Sequence, residues 1–141
     1  MKNKKIWWGV GGIIAVLLAL IIVIATVPQE KVTSNLPHKL TPSETIEAFN
    51  EAAKAGQIEE TKKYVASDIL KGFKNGSYPH YGSYGGFISE YMKKTKSLEI
   101  VNEKVKGKSA SVNVKLTDYN DFEEDDEYLL VKENGKWKIA E

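Results

Sequence analysis

The sequence predicts an α+β domain behind one N-terminal membrane helix. Three observations carry this. Residues 6–27 form an uncharged apolar run; helical spacing of apolar residues recurs over about residues 41–94; and the pattern then switches to a period of two. Helices first and strands second is the order of a domain whose helices cover one face of an antiparallel sheet.

The apolar run, Ile6 to Val27, holds 22 residues without a charge. At an α-helical rise this would span roughly 33 Å, enough for the hydrocarbon core of a bilayer. Lys2, Lys4 and Lys5 precede it without an acid. Positive flanks stay in the cytoplasm, so residues 1–5 are expected inside and residues 28–141 outside. Trp7 and Trp8 fall where aromatic residues meet the inner headgroups. The rival reading is a signal peptide cleaved after Val23-Ile24-Ala25. The run exceeds the usual apolar core of such a peptide, which favours an uncleaved anchor. Gly11, Ala15 and Ala19 make a small-residue stripe, but such residues are common in membrane helices, so the oligomeric state stays open. Residues 28–40, PQEKVTSNLPHKL, carry two prolines and no periodicity and read as an extended linker, with His38 solvated.

Residues 41–141 are enough for one small core. The chain has no cysteine, which excludes disulfides, thiolate metal sites and cysteine nucleophiles. Every basic residue is lysine, so the bidentate forks that usually grip phosphate are missing. Residues 1–40 hold five lysines against one acid, and residues 41–141 hold fifteen lysines against eighteen acids. A mildly acidic outer domain argues against a nucleic-acid partner.

Thr41-Pro42-Ser43-Glu44 is a capping box with proline at the first helical position. Ile46, Phe49 and Ala53 follow on one face, and Gly56 stops the helix. A second helix is expected from Ile58 to Ala66, with Ile58, Thr61, Tyr64 and Val65 inward. A helical turn from Asp68 to Phe73 should end at Gly72. Residues 74–86, KNGSYPHYGSYGG, read as a loop, and a helix of about Tyr84 to Lys94 follows. Leu98, Ile100 and Asn102 then alternate with Glu99, Val101 and Glu103. After a Lys106-Gly107-Lys108 turn, Ala110, Val112, Val114 and Leu116 alternate with polar residues, as in a half-buried strand. Residues 127–132 form a third strand. Asn134-Gly135 is a tight-turn signal, and Trp137 and Ile139 mark a fourth strand.

The segments TPSETIEAFNEAAKAGQIEETKKYV and DEYLLVKENGKWKIAE carry a resemblance. The first is similar to the opening helices, and the second to the final hairpin, of the nuclear transport factor 2-like, cone-shaped α+β superfamily. Over residues 41–141 the chain looks most like the small domains that Gram-positive bacteria display behind a membrane or lipoprotein anchor. The resemblance implies a curved sheet wrapped by helices, with a pocket at the open end of the cone. It also implies no single function. The superfamily holds isomerase- and dehydratase-like enzymes and many non-enzymatic modules, including the outer domain of a membrane-anchored assembly component of type IV secretion systems.

Its isomerases use a pocket carboxylate as base and a tyrosine as oxyanion donor. The resemblance would set Asp68 and Tyr64 in those roles, but Ser67-Asp68 is also a natural helix start. The strand stripe from Ala110 to Leu116 bears no acid, so no catalytic residue is expected. Tyr78, His80, Tyr81 and Tyr84 are the candidate ligand- or partner-binding residues. Aromatic faces with polar tips suit a ligand mouth or an interface, although the same tyrosines could cover the edge of a core. Asp118, Asp121, Glu123, Glu124, Asp125, Asp126 and Glu127 place seven carboxylates in ten residues. They lack calcium-loop spacing and read as a solvated hairpin tip. No phosphate loop, dinucleotide fingerprint or zinc spacing is present, so neither cofactor nor metal is expected. The expectation is a non-enzymatic module that meets an envelope protein near the bilayer. The alternative is a small-molecule domain using the cone pocket.

Overall fold

Thr41 starts the first helix. Its hydroxyl accepts from the Glu44 N–H at 3.2 Å, and the Glu44 carboxylate accepts from the Thr41 N–H at 2.7 Å, so the capping box forms as expected. The computed structural model describes residues 38–140. The expected anchor and most of the linker lie outside them. Among the described residues, no helix is long and apolar enough to cross a membrane.

Helix α1, Pro42–Lys54, buries Ile46, Phe49, Ala52 and Ala53. Helix α2 is short, Ile58–Thr61, and a 3-10 turn over Lys62–Tyr64 follows. The single helix expected to Ala66 is therefore cut short. Val65 is extended and bridges Ile139, and the Ala66 N–H reaches the Ile139 carbonyl at 2.8 Å. A tertiary backbone bond replaces the helical one.

Helix α3, Ser67–Lys74, runs through Gly72 and does not stop there. Gly72 serves packing: a Cβ on it would lie 2.6 Å from the Tyr78 ring, so its absence lets that ring lie against the helix. The chain leaves the helix at Asn75 and Gly76, the latter with φ +74°. Helix α4, Tyr84–Lys94, falls where its apolar spacing placed it, and the Ser83 hydroxyl caps the Gly86 N–H at 3.0 Å.

Four antiparallel strands follow in sequential order: β1 Ser97–Lys106, β2 Ser109–Thr117, β3 Glu123–Glu133 and β4 Lys136–Ile139. The register of β1 slips between Ile100 and Asn102. This bulge reverses the alternation beyond it. The expected inward role of Asn102 passes to Glu103, whose carboxylate accepts from the Ser43 N–H at 2.8 Å at the start of α1. Strand β3 is longer than expected, because the acidic residues 123–127 pair in register with β2. They are strand, not hairpin tip. The tip is Asp118–Phe122, where Asp118 accepts from the Asn120 and Phe122 N–H groups at 2.7 and 2.9 Å. Those bonds, Phe122's first, hold the Asp118 carboxyl below its ordinary pKa.

The core lies between the sheet and helices α1 and α4. Ile46, Ile88, Val112, Val114 and Leu130 are all but fully buried there. The result is an α+β cone with helices on one face of an antiparallel sheet, the class read from the sequence.

Candidate functional site

Towards the far ends of β2 and β3 the helices no longer fill the concave face. A cavity of about 1250 Å³ opens there to solvent. Its helical wall is Ile69 and Phe73 of α3 with Phe87 and Tyr91 of α4. The loop between them contributes Tyr78 and Tyr81. The sheet contributes Leu116, Tyr128 and Ile139, and the β2–β3 turn forms the lip with Tyr119 and Phe122.

Phe73 centres the aromatic wall. Its ring lies 4.5 Å from Tyr78, 5.7 Å from Phe87 and 5.4 Å from Tyr84 between centroids. Tyr81 meets Phe87 edge-on at 5.2 Å. Such packing fixes ring planes as well as burying area. Gly86 allows the loop to close on α4, since a Cβ there would come within 2.1 Å of the Tyr81 carbonyl oxygen.

Polar groups lie deeper. The Tyr91 hydroxyl donates to Asn50 Oδ1 at 2.8 Å, and its ring packs edge-on against Phe49 at 5.4 Å. Burial pushes the Tyr91 phenol well above its ordinary pKa, with a further push from Tyr128. Burial, aided by the Asp126 charge, pushes the Tyr128 phenol up to about 12. Both stay neutral hydroxyls at physiological pH; Tyr91, whose proton goes to Asn50, can accept from a ligand N–H, and Tyr128 can donate or accept. The rim is charged. Glu90 pairs with Lys94, which holds the Glu90 carboxyl below its ordinary pKa.

The four candidate residues separate. Tyr78 and Tyr81 line the cavity. Tyr84 turns into the core, 7% exposed, with its hydroxyl 2.9 Å from Thr61 Oγ1. His80 stands outside the cavity lining, with Nε2 3.8 Å from the Glu90 carboxylate. Asp68 and Tyr64, which the resemblance would set as base and donor, do not meet in the cavity: Asp68 is exposed beside Lys71, and Tyr64 bonds to Glu60. His38 is exposed, as expected, with Nε2 3.0 Å from the Glu44 carboxylate. The concave face does carry acids that the β2 stripe lacks. Asp126 lies opposite Val114 and Glu124 opposite Leu116, both exposed at the cavity edge.

Sequence reasoning missed Phe87, Tyr91, Leu116 and Tyr128 as cavity residues. Phe87 and Tyr91 stand four apart on α4, which marks a shared face. Nothing in a single sequence separates a face that is covered from one that is left open. Among the described residues no group of carboxylates and histidines is arranged to hold a metal ion.

Residues 36–140 match the family described as a domain of unknown function, DUF4878. No curated protein matches the chain. Solved structures share the fold, three of which follow. A Campylobacter jejuni protein named as an NTF2-like transpeptidase is 16% identical over 72% of this chain and 99% of its own, with a TM-score of 0.55. A SEC-C motif containing protein from Rhodopseudomonas palustris is 12% identical over 72% and 76%, also at 0.55. A de novo designed NTF2 fold protein is 13% identical over 74% and 87%, at 0.50. At such identities the likeness speaks to fold alone. The chain belongs to the DUF4878 family, and its domain has the NTF2-like fold.

Proposed function

We propose that the protein is a single-pass membrane protein whose outer domain is a non-enzymatic binding module, and that the open cone cavity is its binding site. The supporting observation is the cavity itself. It is large enough for a drug-sized ligand or the side chains of a partner, is walled by Phe73, Tyr81 and Phe87, and holds the hydroxyls of Tyr91 and Tyr128. Apolar walls with a few convergent polar groups suit an apolar ligand bearing a hydrogen-bonding atom. Of the carboxylates that line the cavity, Glu124, Asp126 and Glu127 are exposed at its edge, Asp118 is tied to the backbone of its own turn, and Glu90 is paired with Lys94. A general base tuned to neutral pH takes its pKa from burial, so the arrangement favours binding over proton abstraction.

The location follows from the apolar run at residues 6–27 and its three lysines. The chain lacks cysteine, which gives a direct topology test. A single cysteine introduced as Lys106→Cys should react in intact cells with a membrane-impermeant maleimide. Asn3→Cys should react only after lysis. Labelling of both from outside would overturn the orientation.

The cavity is tested with the full chain in nanodiscs. Apolar, oxygen-bearing small molecules are screened by thermal shift. Hits should lose their shift with Phe87→Ala and keep it with Val105→Ala, a change at an exposed sheet position. Hits unaffected by Phe87→Ala, or no hits at all, would count against the cavity.

A further inference from the structure

Half of β3 has a strand on one side only. β4 pairs only with Leu130–Glu133, and the Ala140 N–H reaches one residue further, to the Leu129 carbonyl at 2.8 Å. Residues 123–128 pair with β2 on one side. Among the described residues no strand meets their other side.

The register says which groups that edge presents. The Lys132 N–H donates to the Lys108 carbonyl at 2.9 Å, on the β2 side, while the Leu129 carbonyl faces β4. Backbone groups alternate sides along a strand. Glu123, Asp125 and Glu127 therefore turn their N–H and C=O groups to the open edge. Their side chains lie on the outer face, where Lys115 reaches Glu123 at 3.4 Å. The side chains of Glu124, Asp126 and Tyr128 lie on the cavity face.

We propose that this edge is completed by an extended lysine-bearing segment of a partner protein, which adds to β3 as a fifth strand and lays alternate side chains over the cavity. The proposal rests on the cavity being the binding site and names what occupies it. Two observations carry it. The first is charge. Residues 123–127 are five consecutive acids, and of these five only Glu123 has an ion-pair partner among the described residues. Like charges repel a second β3 and so keep two copies from pairing edge to edge. Lysines placed opposite Asp125 and Glu127 would instead neutralise them on the outer face. The second is continuity. Glu124, Asp126 and Glu127, all within the stretch of β3 that has one open side, also line the cavity. A strand added there becomes the missing wall. Its residue opposite Asp126 points to the cavity side, next to Tyr128, so an apolar side chain between two lysines fits. Strand addition draws affinity from main-chain bonds and specificity from alternate side chains. The Asp126 carboxylate now accepts the Glu127 N–H at 2.9 Å; an incoming carbonyl takes over that bond.

The test uses the full chain in zwitterionic nanodiscs, so that lysines are not drawn to lipid. The probes are a hexapeptide alternating lysine and valine, its glutamate-valine counterpart, a lysine-valine peptide of blocked order, and the alternating peptide with alternate backbone nitrogens methylated. The alternating lysine peptide should bind at least about tenfold tighter than the other three. It should slow hydrogen exchange at the Asp125 and Glu127 amides. The variant Asp125→Lys/Glu127→Lys should prefer the glutamate peptide, and the milder Asp125→Asn/Glu127→Gln should lose most of the affinity. Equal binding of the blocked peptide would reduce the effect to bulk charge and overturn strand addition. Tight binding of the methylated peptide, or unchanged exchange at Asp125 and Glu127, would overturn it as well. A small-molecule hit sensitive to Phe87→Ala with no peptide binding would leave the cavity reading standing and remove this one. Failure of both would remove the cavity.

Discussion

The two ends of the concave face are built from the same strands and behave differently. At one end Val112 and Val114 of β2 are fully buried under α1, with Ile46 against them. Two residues further along β2, Leu116 is only half-buried, and its partner on β3, Glu124, is exposed. The alternation of β2 continues unbroken across this change. Its helical cover does not, and Leu116 faces a cavity instead of a packed neighbour. The closed end makes the domain fold, and the open end leaves aromatic surface uncovered, the surface that the proposed binding would use. Substitutions at the two ends should therefore separate stability from binding.

The largest effect belongs to the closed end. Ile46→Ala removes a fully buried side chain from the centre of the core, and should cost about 2–5 kcal/mol in urea unfolding. Leu116→Ala, half-buried at the cavity, should cost about 1 kcal/mol or less, because less apolar area leaves water there on folding. Equal losses would break the contrast between the ends.

Next come two adjacent glycines. A Cβ on Gly86 would meet the Tyr81 carbonyl oxygen at 2.1 Å, and backbone cannot swing aside as a side chain can. Gly86→Ala should cost about 2 kcal/mol, the scale of overpacking, and should loosen Tyr81 from the cavity wall. At Gly85 the nearest atom would be Ile58 Cδ1 at 3.7 Å, an ordinary contact. Gly85→Ala should be neutral or slightly stabilising, since alanine is the better helix former. Thermal unfolding of the two variants side by side checks the pair.

The elements that sequence made legible are those fixed by local chemistry. The Thr41–Glu44 capping box, the α4 spacing, the clean β2 alternation and the Asn134-Gly135 turn each need only near neighbours to declare themselves. Three features needed the partner strand or helix. The bulge after Ile100 was hidden because Val101 and Asn102 fit either phase of an alternating strand. The acidic residues 123–127 look like a tip because acids are poor strand formers, and only pairing with β2 makes them a strand. Val65 ends its helix because Ile139 offers a backbone partner from the far end of the domain. The site was half legible for the same reason. Four ring residues in one loop advertise an aromatic cluster. Whether Tyr81 faces the cavity and Tyr84 faces Thr61 depends on where α3 lies.

Tyr128 sits between the two ends and gives a smaller, pH-dependent difference. Its folded-state phenol is pushed up to about 12, chiefly by burial. A phenol in the unfolded chain loses its proton near pH 10. Below that pH both states keep the proton, and ionisation does not alter stability. Between the two values the unfolded chain loses its proton first, so stability falls as pH rises. By pH 11 this group should account for about 1 kcal/mol of loss. Tyr128→Phe should flatten the alkaline limb of the stability curve relative to the parent. An unchanged limb would show that Tyr128 is not held away from water.

The smallest effect on stability, and the sharpest division of the two ends, should come from the lip. Tyr119 and Phe122 are 62% and 66% exposed, so their rings contribute little to the core. Replacing either with serine should leave unfolding within about 0.5 kcal/mol of the parent. It should still weaken any occupant of the cavity several-fold, because both rings border the opening. The turn itself is held by Asp118 through backbone groups, so it keeps its shape when the rings are removed. A loss of stability in Phe122→Ser would mean that the lip folds down and belongs to the closed end. Unchanged binding in both serine variants would confine the site to the inner wall of Phe73, Phe87 and Tyr91.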